Sequence, residues 1–452
     1  MLTTPADRSV PGDADVLDLA DVQGLVVRGY TMPHARHLLV RVDSVPAARA
    51  LLGSLVDGTP GRPQVTTATP WEVRPDSCLN VAVTAEGLEV LGASLSGFPA
   101  EFTQGAVARA GVVGDVGPCD PAHWRPVFTG PGLHLLLSLS AVSPEARERA
   151  TDALLAGTAP GLTELDRLDG DLLPNRTDHF GYVDGISQPT VAPAPPPGPP
   201  DRLPVQPTGA FLLGHPSQFT GHSYPVPDPP ALGRNGSFAA FRVMAQDVDA
   251  FCALLAEQSR RTGMSPELVA AKLCGRWRSG TPLVLSPDAD SHLPPEALND
   301  FDYAGDERGE RCPIGAHVRR MHPRDSRVAG NGGAKHRIVR RGLTYGPPHD
   351  PARPRDGQER GVVGLFIGAS LRDQFEFLMA EWAHDGLFAP GLGRTQDPFL
   401  GTGAGQGAGG TFRFRAAGRR AELTDLPRLV TTRGCAYVFL PSLTGIRHLA
   451  GR

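Results

Sequence analysis

The 452-residue chain reads as an α+β protein in which helices lie on antiparallel sheet. Three observations predict this. Strand-length apolar runs alternate with segments that open on helix-capping residues. The 54 glycines and 45 prolines call for many turns and ordered loops, and no glycine period marks a collagen-like chain. Hydrophobic residues at 40% and charged residues at 20% suit a buried core under a polar surface, and the length predicts two domains rather than one.

In chain order, residues 1–20 form a polar lead-in, and the apolar run 21–27 opens the fold. His37–Val42 reads as a strand. Val45–Leu52 reads as a helix, capped by Ser44 and carrying Pro46 in its first turn, where a missing N–H costs nothing. Cys78–Val83 and His134–Ser140 are further strands, followed by helix starts at Glu86 and at Ser143-Pro144. The proline run 191–200 is a stiff spacer and the best boundary, ending a first domain over 21–200 and opening a second over 201–452. In the second domain, Gly209–Gly214 is expected to be a strand, as are Gly236–Met244, Gly361–Ala369 and Ala436–Pro441. Helical periodicity covers 247–259, 265–273 and, as an amphipathic helix, 371–382.

Composition narrows the function. Lys+Arg 44 against Asp+Glu 48 gives no basic surplus for a nucleic acid to bind. No apolar run approaches about 18 residues, so no membrane span is expected. Six scattered cysteines and no visible signal peptide predict a reducing, cytoplasmic setting.

One block concentrates chemistry. Residues 311–325 hold Cys312, His317 and His322, three candidate ligands for a haem or other transition metal, with Arg311, Arg319, Arg320 and Arg324 among them. Zinc is disfavoured, since no second Cys/His cluster stands at finger spacing. The arginines suit a solvated basic face or the carboxylates of a porphyrin edge. Downstream, 336–346 mixes basic and apolar residues, which also fits an edge strand. Upstream, Asp184 sits between Gly181 and Gly185, where an aspartate capping a turn is the ordinary explanation. On these residues alone, the choice of ligand stays open.

Taken together and in order, the motifs resemble those of the dye-decolorizing (DyP-type) haem peroxidases. Gly181-Tyr182-Val183-Asp184-Gly185 matches the family's G-x-x-D-G signature, continued by Ile186-Ser187-Gln188-Pro189. Cys312 to Asp325 matches the proximal-histidine block, and Ile338-Val339-Arg340-Arg341-Gly342 the distal-arginine block. Asp21 to Leu25, Gly275 to Pro282 and Thr432-Arg433-Gly434 also fit, so the resemblance runs from about residue 20 to the C-terminus. Cys435 departs from it, standing where the family often has a second glycine.

The resemblance implies two ferredoxin-like domains with antiparallel sheets, of the dimeric α+β barrel type, with haem b between sheet and helices of the C-terminal half. It makes His317 the axial iron ligand, with Asp397 as its acidic partner and Asp373 behind it. Asp184 and Arg340 would be the catalytic pair, Leu365, Phe366 and Ile367 an apolar ceiling, and Arg320 and Arg324 either contacts to a propionate or supports behind the residues that touch the haem. The implied reaction reduces hydrogen peroxide and oxidises small phenolic, aromatic or dye-like donors in one-electron steps through the family's compound I cycle. Trp277, Trp382, Tyr345 and Tyr437 are candidate relays to bulky donors. The proline-rich insert would lie near the haem entrance or at an interface, and self-association into a homo-oligomer is left open. A haem-handling or haem-sensing protein is the rival reading. A binder needs only His317, so the presence of both Asp184 and Arg340 favours the enzyme.

Overall fold

The computed structural model describes residues 17–158, 160–192, 205–324, 333–390, 392–393, 395–401, 409–416 and 418–452. The lead-in over 1–16, the proline run from 193 and the glycine-rich 402–408 lie outside the described residues.

The first half supplies strands β1 (His34–Val42), β2 (Ser77–Val83), β3 (Leu135–Ala141) and β4 (Leu162–Asp171). The second supplies β5 (Ser237–Gln246), β6 (Val339–Tyr345), β7 (Gly361–Gly368) and β10 (Val430–Leu440), with β8 (Gly410–Ala416) and β9 (Arg419–Leu426) forming a separate hairpin. Eight strands close into an antiparallel barrel of order β1-β3-β2-β10-β5-β7-β6-β4. Counted within each half, both sets of four follow the ferredoxin-like order 4-1-3-2. The halves meet at two thin seams, each a single residue pair: Phe439 with Val83, and Asp171 with Thr344.

Local chemistry explains the helices. Five shape the site and its supports: α1 (Val45–Asp57), α2 (Pro144–Leu155), α3 (Val248–Thr262), α4 (Pro266–Cys274) and α5 (His317–Met321). Ser44, Ser143, Asp247 and Ser265 each cap the helix they precede, accepting a backbone N–H from its first turn. Gly263 and Gly275 end α3 and α4 in the left-handed conformation.

Two expectations change, and one strand has no counterpart in the sequence reading. Residues 209–214 are not a strand: Thr208–Ala210 winds into a short 3-10 turn, and a Cβ on Gly209 would lie 2.2 Å from the His215 carbonyl. Residues 371–382 are helical but wound more widely, as π-helical stretches Leu371–Glu376 and Leu378–His384. Apolar spacing does not separate these windings, which often mark functional sites. Strand β4 is too charged to stand out as an apolar run. It forms because Asp169 on its outer face meets buried Arg36, which also holds Glu148 of α2.

The main core packs both inside the barrel and between its wall and the surrounding helices, and an aromatic cluster on the helix side sits at a seam. Phe439 is fully buried and packs at ring-centroid distances of 5.3 Å from Phe98 and 5.4 Å from Phe238. Because this residue both fills the core and closes the barrel, Phe439→Ala is expected to cost about 3–5 kcal/mol. A urea unfolding series should show a correspondingly lower midpoint.

Candidate active site

A cavity of about 330 Å³ opens between the sheet face of β5, β7 and β6 and the helices packed over it, within the range of about 300–1,000 Å³ usual for cofactor and ligand sites. The loop 178–187 from the first half lines its remaining side.

His317, the first residue of α5, lines this cavity. Its Nδ1 lies 2.9 Å from Asp397 Oδ2, and the Asp397 side chain is fully buried. Asp397 Oδ1 accepts the N–H groups of Phe399 and Leu400, each at 2.9 Å. Burial alone would raise the Asp397 pKa. The His317 ring, the Leu400 N–H and Arg320 outweigh it and hold the carboxyl below its ordinary range. An ionised Asp397 is a hydrogen-bond acceptor, so Nδ1 of His317 donates and Nε2 keeps its lone pair. Asp373 is elsewhere: its carbonyl meets His336.

The other two candidate ligands are otherwise engaged. Cys312 is fully buried outside the cavity lining, and burial pushes its thiol up to about 12. His322 lines the cavity, but its Nε2 faces Arg337 Nη1 at 2.8 Å. Burial, then Arg337 and Arg324, pushes its pKa well down, leaving a neutral ring that accepts from the guanidinium.

Asp184 and Arg340 both line the cavity and are exposed. Their loops are tied together, since Arg340 Nη2 donates to the Ser187 carbonyl at 3.0 Å and its backbone N–H to Gln188 Oε1 at 3.1 Å. The motif glycines are conformational: Gly181 and Gly185 sit at φ +90° and +77°, which swings the chain around Asp184.

Arg320 is a correction. It lies outside the cavity lining with no exposed surface, and its donors go to the carbonyls of Gly315, Trp382 and Thr395. It holds the chain behind Asp397 and cannot reach a ligand in the cavity. Arg319 is likewise structural, bound to Asp306 and the Cys312 carbonyl. Phe366 lines the cavity and Ile367, one residue on, faces the barrel core, as strand alternation requires; Leu365 shares the face of Ile367 and reaches the cavity lining as well. Of the relay candidates, only Trp277 lines the cavity.

Sequence reasoning missed part of the arginine wall and a second carboxylate. Arg276, Arg324, Arg337, Arg340 and Arg341 all line the cavity. Burial, with Arg324 nearby, lowers Arg276 to about 10, and burial likewise lowers Arg341 to about 10. Such crowding of buried cations fits a ligand bearing carboxylates. Asp178 also lines the cavity, six residues before Asp184. Its Oδ1 accepts the Tyr182 N–H at 2.9 Å, and its Oδ2 accepts Gln246 Nε2 at 3.0 Å, which docks the loop on β5. Its position ahead of the G-x-x-D-G motif was the available signal.

These features suit an iron porphyrin. Among the described residues, no three His, Cys, Asp or Glu side chains gather into a metal-binding cluster. A lone imidazole with a carboxylate behind it, facing a flat apolar wall with cations on one side, is the donor set that a porphyrin-held iron requires.

Comparison with known proteins agrees in direction. No family model matches the chain. It is 32% identical over 413 residues to the multifunctional dye peroxidase of an Amycolatopsis species, covering 82% of each chain. It is 28% identical over 491 residues to the dye-decolorizing peroxidase of Mycena epipterygia, covering 99% of this chain and 89% of that one. Among solved structures, a dye-decolorizing peroxidase in complex with 2,6-dimethoxyphenol superposes with a TM-score of 0.82 at 27% identity, over 96% of this chain and all of that one. The DyP-type peroxidase of Auricularia auricula-judae gives 0.81 at 25%, over 97% of this chain and all of that one.

Burial raises Asp178 to about 6, with Asp184 adding to the effect, against the pull of the Tyr182 N–H and Gln246. A carboxyl raised on folding favours the folded state most below its unfolded pKa of about 4 and loses that contribution as pH rises through about 6. Asp178→Asn removes this titration. The stability of the variant relative to the parent should therefore improve between pH 4 and 7.5, by up to roughly 2 kcal/mol. Thermal melts of both proteins across that range test the sign.

Proposed function

The chain belongs to the dye-decolorizing (DyP-type) peroxidase family and is an enzyme of that class, and we propose that it binds haem b through His317, reduces hydrogen peroxide and oxidises small phenolic or dye-like donors one electron at a time. The observation that carries this reading is the convergence on one cavity of His317, backed by Asp397, and of Asp184 and Arg340. Bound haem supplies the redox-active iron.

Each residue then has a physical task. Asp397 keeps the proton on Nδ1 of His317, so that Nε2 is the donor atom and the ring is made more basic. The arginine wall, with neutral His322, receives the propionates. Asp184 accepts a proton from one peroxide oxygen and returns it to the departing oxygen, which leaves as water. Arg340, aimed by the Ser187 carbonyl, donates hydrogen bonds to the negative charge that grows on that oxygen. Leu365 and Phe366 keep water from the reacting centre. The six free cysteines support residence in a reducing compartment.

A pure haem binder would not need Asp184 and Arg340 on the same cavity, so the enzyme reading is preferred. His317→Ala should abolish stable haem incorporation and the Soret band, and an unchanged haem spectrum would sink the ligand assignment. Asp184→Asn and Arg340→Leu should keep haem but slow the reaction with peroxide by roughly 10²–10⁴-fold in stopped-flow absorption. Rates equal to the parent's in both variants would overturn the proposed roles.

A further inference from the structure

The sheet wall of the cavity is a lattice of rows across β5, β7 and β6. One row reads Ala240, Phe366, Arg340; the next Arg242, Gly364, Gly342; the third Met244, Val362, Thr344. The middle row carries a side chain only at its β5 end. Both glycines line the cavity. Close strand approach explains them, since a Cβ on Gly364 would lie 2.3 Å from the Arg341 carbonyl oxygen and one on Gly342 3.0 Å from that of Val363. The result is a trough floored by bare backbone, two interstrand spacings or about 10 Å long, flanked by Phe366 and Val362 and ending at Arg242.

Arg242 is an unusual terminus. It is 2% exposed and lines the cavity. Its Nη2 donates to Asp115 Oδ1 at 2.7 Å and to Thr432 Oγ1, while Nε and Nη1 have no hydrogen-bond partner among the described residues. Leaving buried donors unmet is unfavourable, a penalty that an oxygen acceptor in the trough would relieve. The guanidinium also lies 5.5 Å from the centre of the Phe375 ring, and Phe375 packs on Phe366. An aromatic, largely apolar slot with one buried cationic donor at its end fits an aromatic acid. Asp115 neutralises Arg242, and the surplus positive charge of the cavity comes from residues such as Arg340 and Arg341 on β6, two strands away at the far end of the trough.

We propose that this trough is a binding site for a small aromatic carboxylate, its ring over Gly364 and Gly342 and its carboxylate accepting from Arg242. That the bound molecule serves as electron donor rests on the peroxidase reading; the binding does not.

Calorimetric titration of the haem-loaded protein with para-hydroxybenzoate and with phenol tests it. The carboxylate should bind about tenfold tighter or better. Removing the ion pair as a unit, Arg242→Met with Asp115→Asn, avoids stranding either charge and should erase that preference. Gly342→Ala keeps Arg242 but narrows the trough, and should weaken para-hydroxybenzoate about tenfold even if the double variant fails to load haem. Equal binding of the two ligands by the parent, or a preference that survives the double variant, overturns the site, as does unchanged affinity in Gly342→Ala. A parent that shows the preference yet does not react with peroxide keeps the site and loses the peroxidase reading. One that reacts with peroxide without the preference loses only the site.

Discussion

The geometry of the candidate site hangs on a buried carboxylate held below its ordinary pKa range. Asp397 has no exposed side-chain surface, so its charge survives only because the Phe399 and Leu400 amides and the His317 ring all donate to it. The carboxylate so held engages Nδ1 of His317, and that contact orients the ring. The arrangement depends on neighbours that never touch the cavity. Arg320 spends its donors on carbonyls at 315, 382 and 395, pinning α5, the π-helical stretch and the segment leading to Asp397 to one another.

The arginines of the proximal block thus divide by geometry rather than by type. Arg319 and Arg320 are buried cations whose hydrogen bonds close inside the protein, a role suited to a rigid planar fork. Arg324 stacks 3.7 Å over Phe301 and borders the cavity, where Arg276, Arg337, Arg340 and Arg341 join it from other places in the chain. Among the described residues, the carboxylates on the cavity wall are Asp178 and Asp184, so the lining carries a surplus of positive charge.

Closing two ferredoxin-like halves into one barrel brings the two sides of the cavity together. The G-x-x-D-G loop follows the last strand of the first half, while His317, Arg340 and the sheet wall belong to the second. Gln246 on β5 grips that loop through Asp178 and the His179 N–H, and Arg340 grips it through Ser187 and Gln188. At the first seam the aromatic packing around Phe439 reinforces the single residue pair, and at the second Thr344 Oγ1 donates to the Asp171 carbonyl.

Much of this was legible in the amino-acid sequence. Strands with continuous apolar runs and helices with serine or aspartate caps declare themselves, because burial and capping are local demands on residue type. His317, Asp184 and Arg340 stood out through the resemblance of their motifs to those of the family, since on residue type alone the ligand stayed open; the structure added that Gly181 and Gly185 hold a left-handed backbone. Tertiary structure alone decided the rest. It separated Arg320, turned inward onto carbonyls, from the arginines that face the cavity, and Ile367 from Phe366, a difference of one residue in a period of two. It revealed β4, whose Asp169 is met by buried Arg36, and the bare row of Gly364 and Gly342, which exists only once β5, β7 and β6 lie in register. Residue type and spacing determine which groups are available; which way each one points is settled by partners remote in the chain.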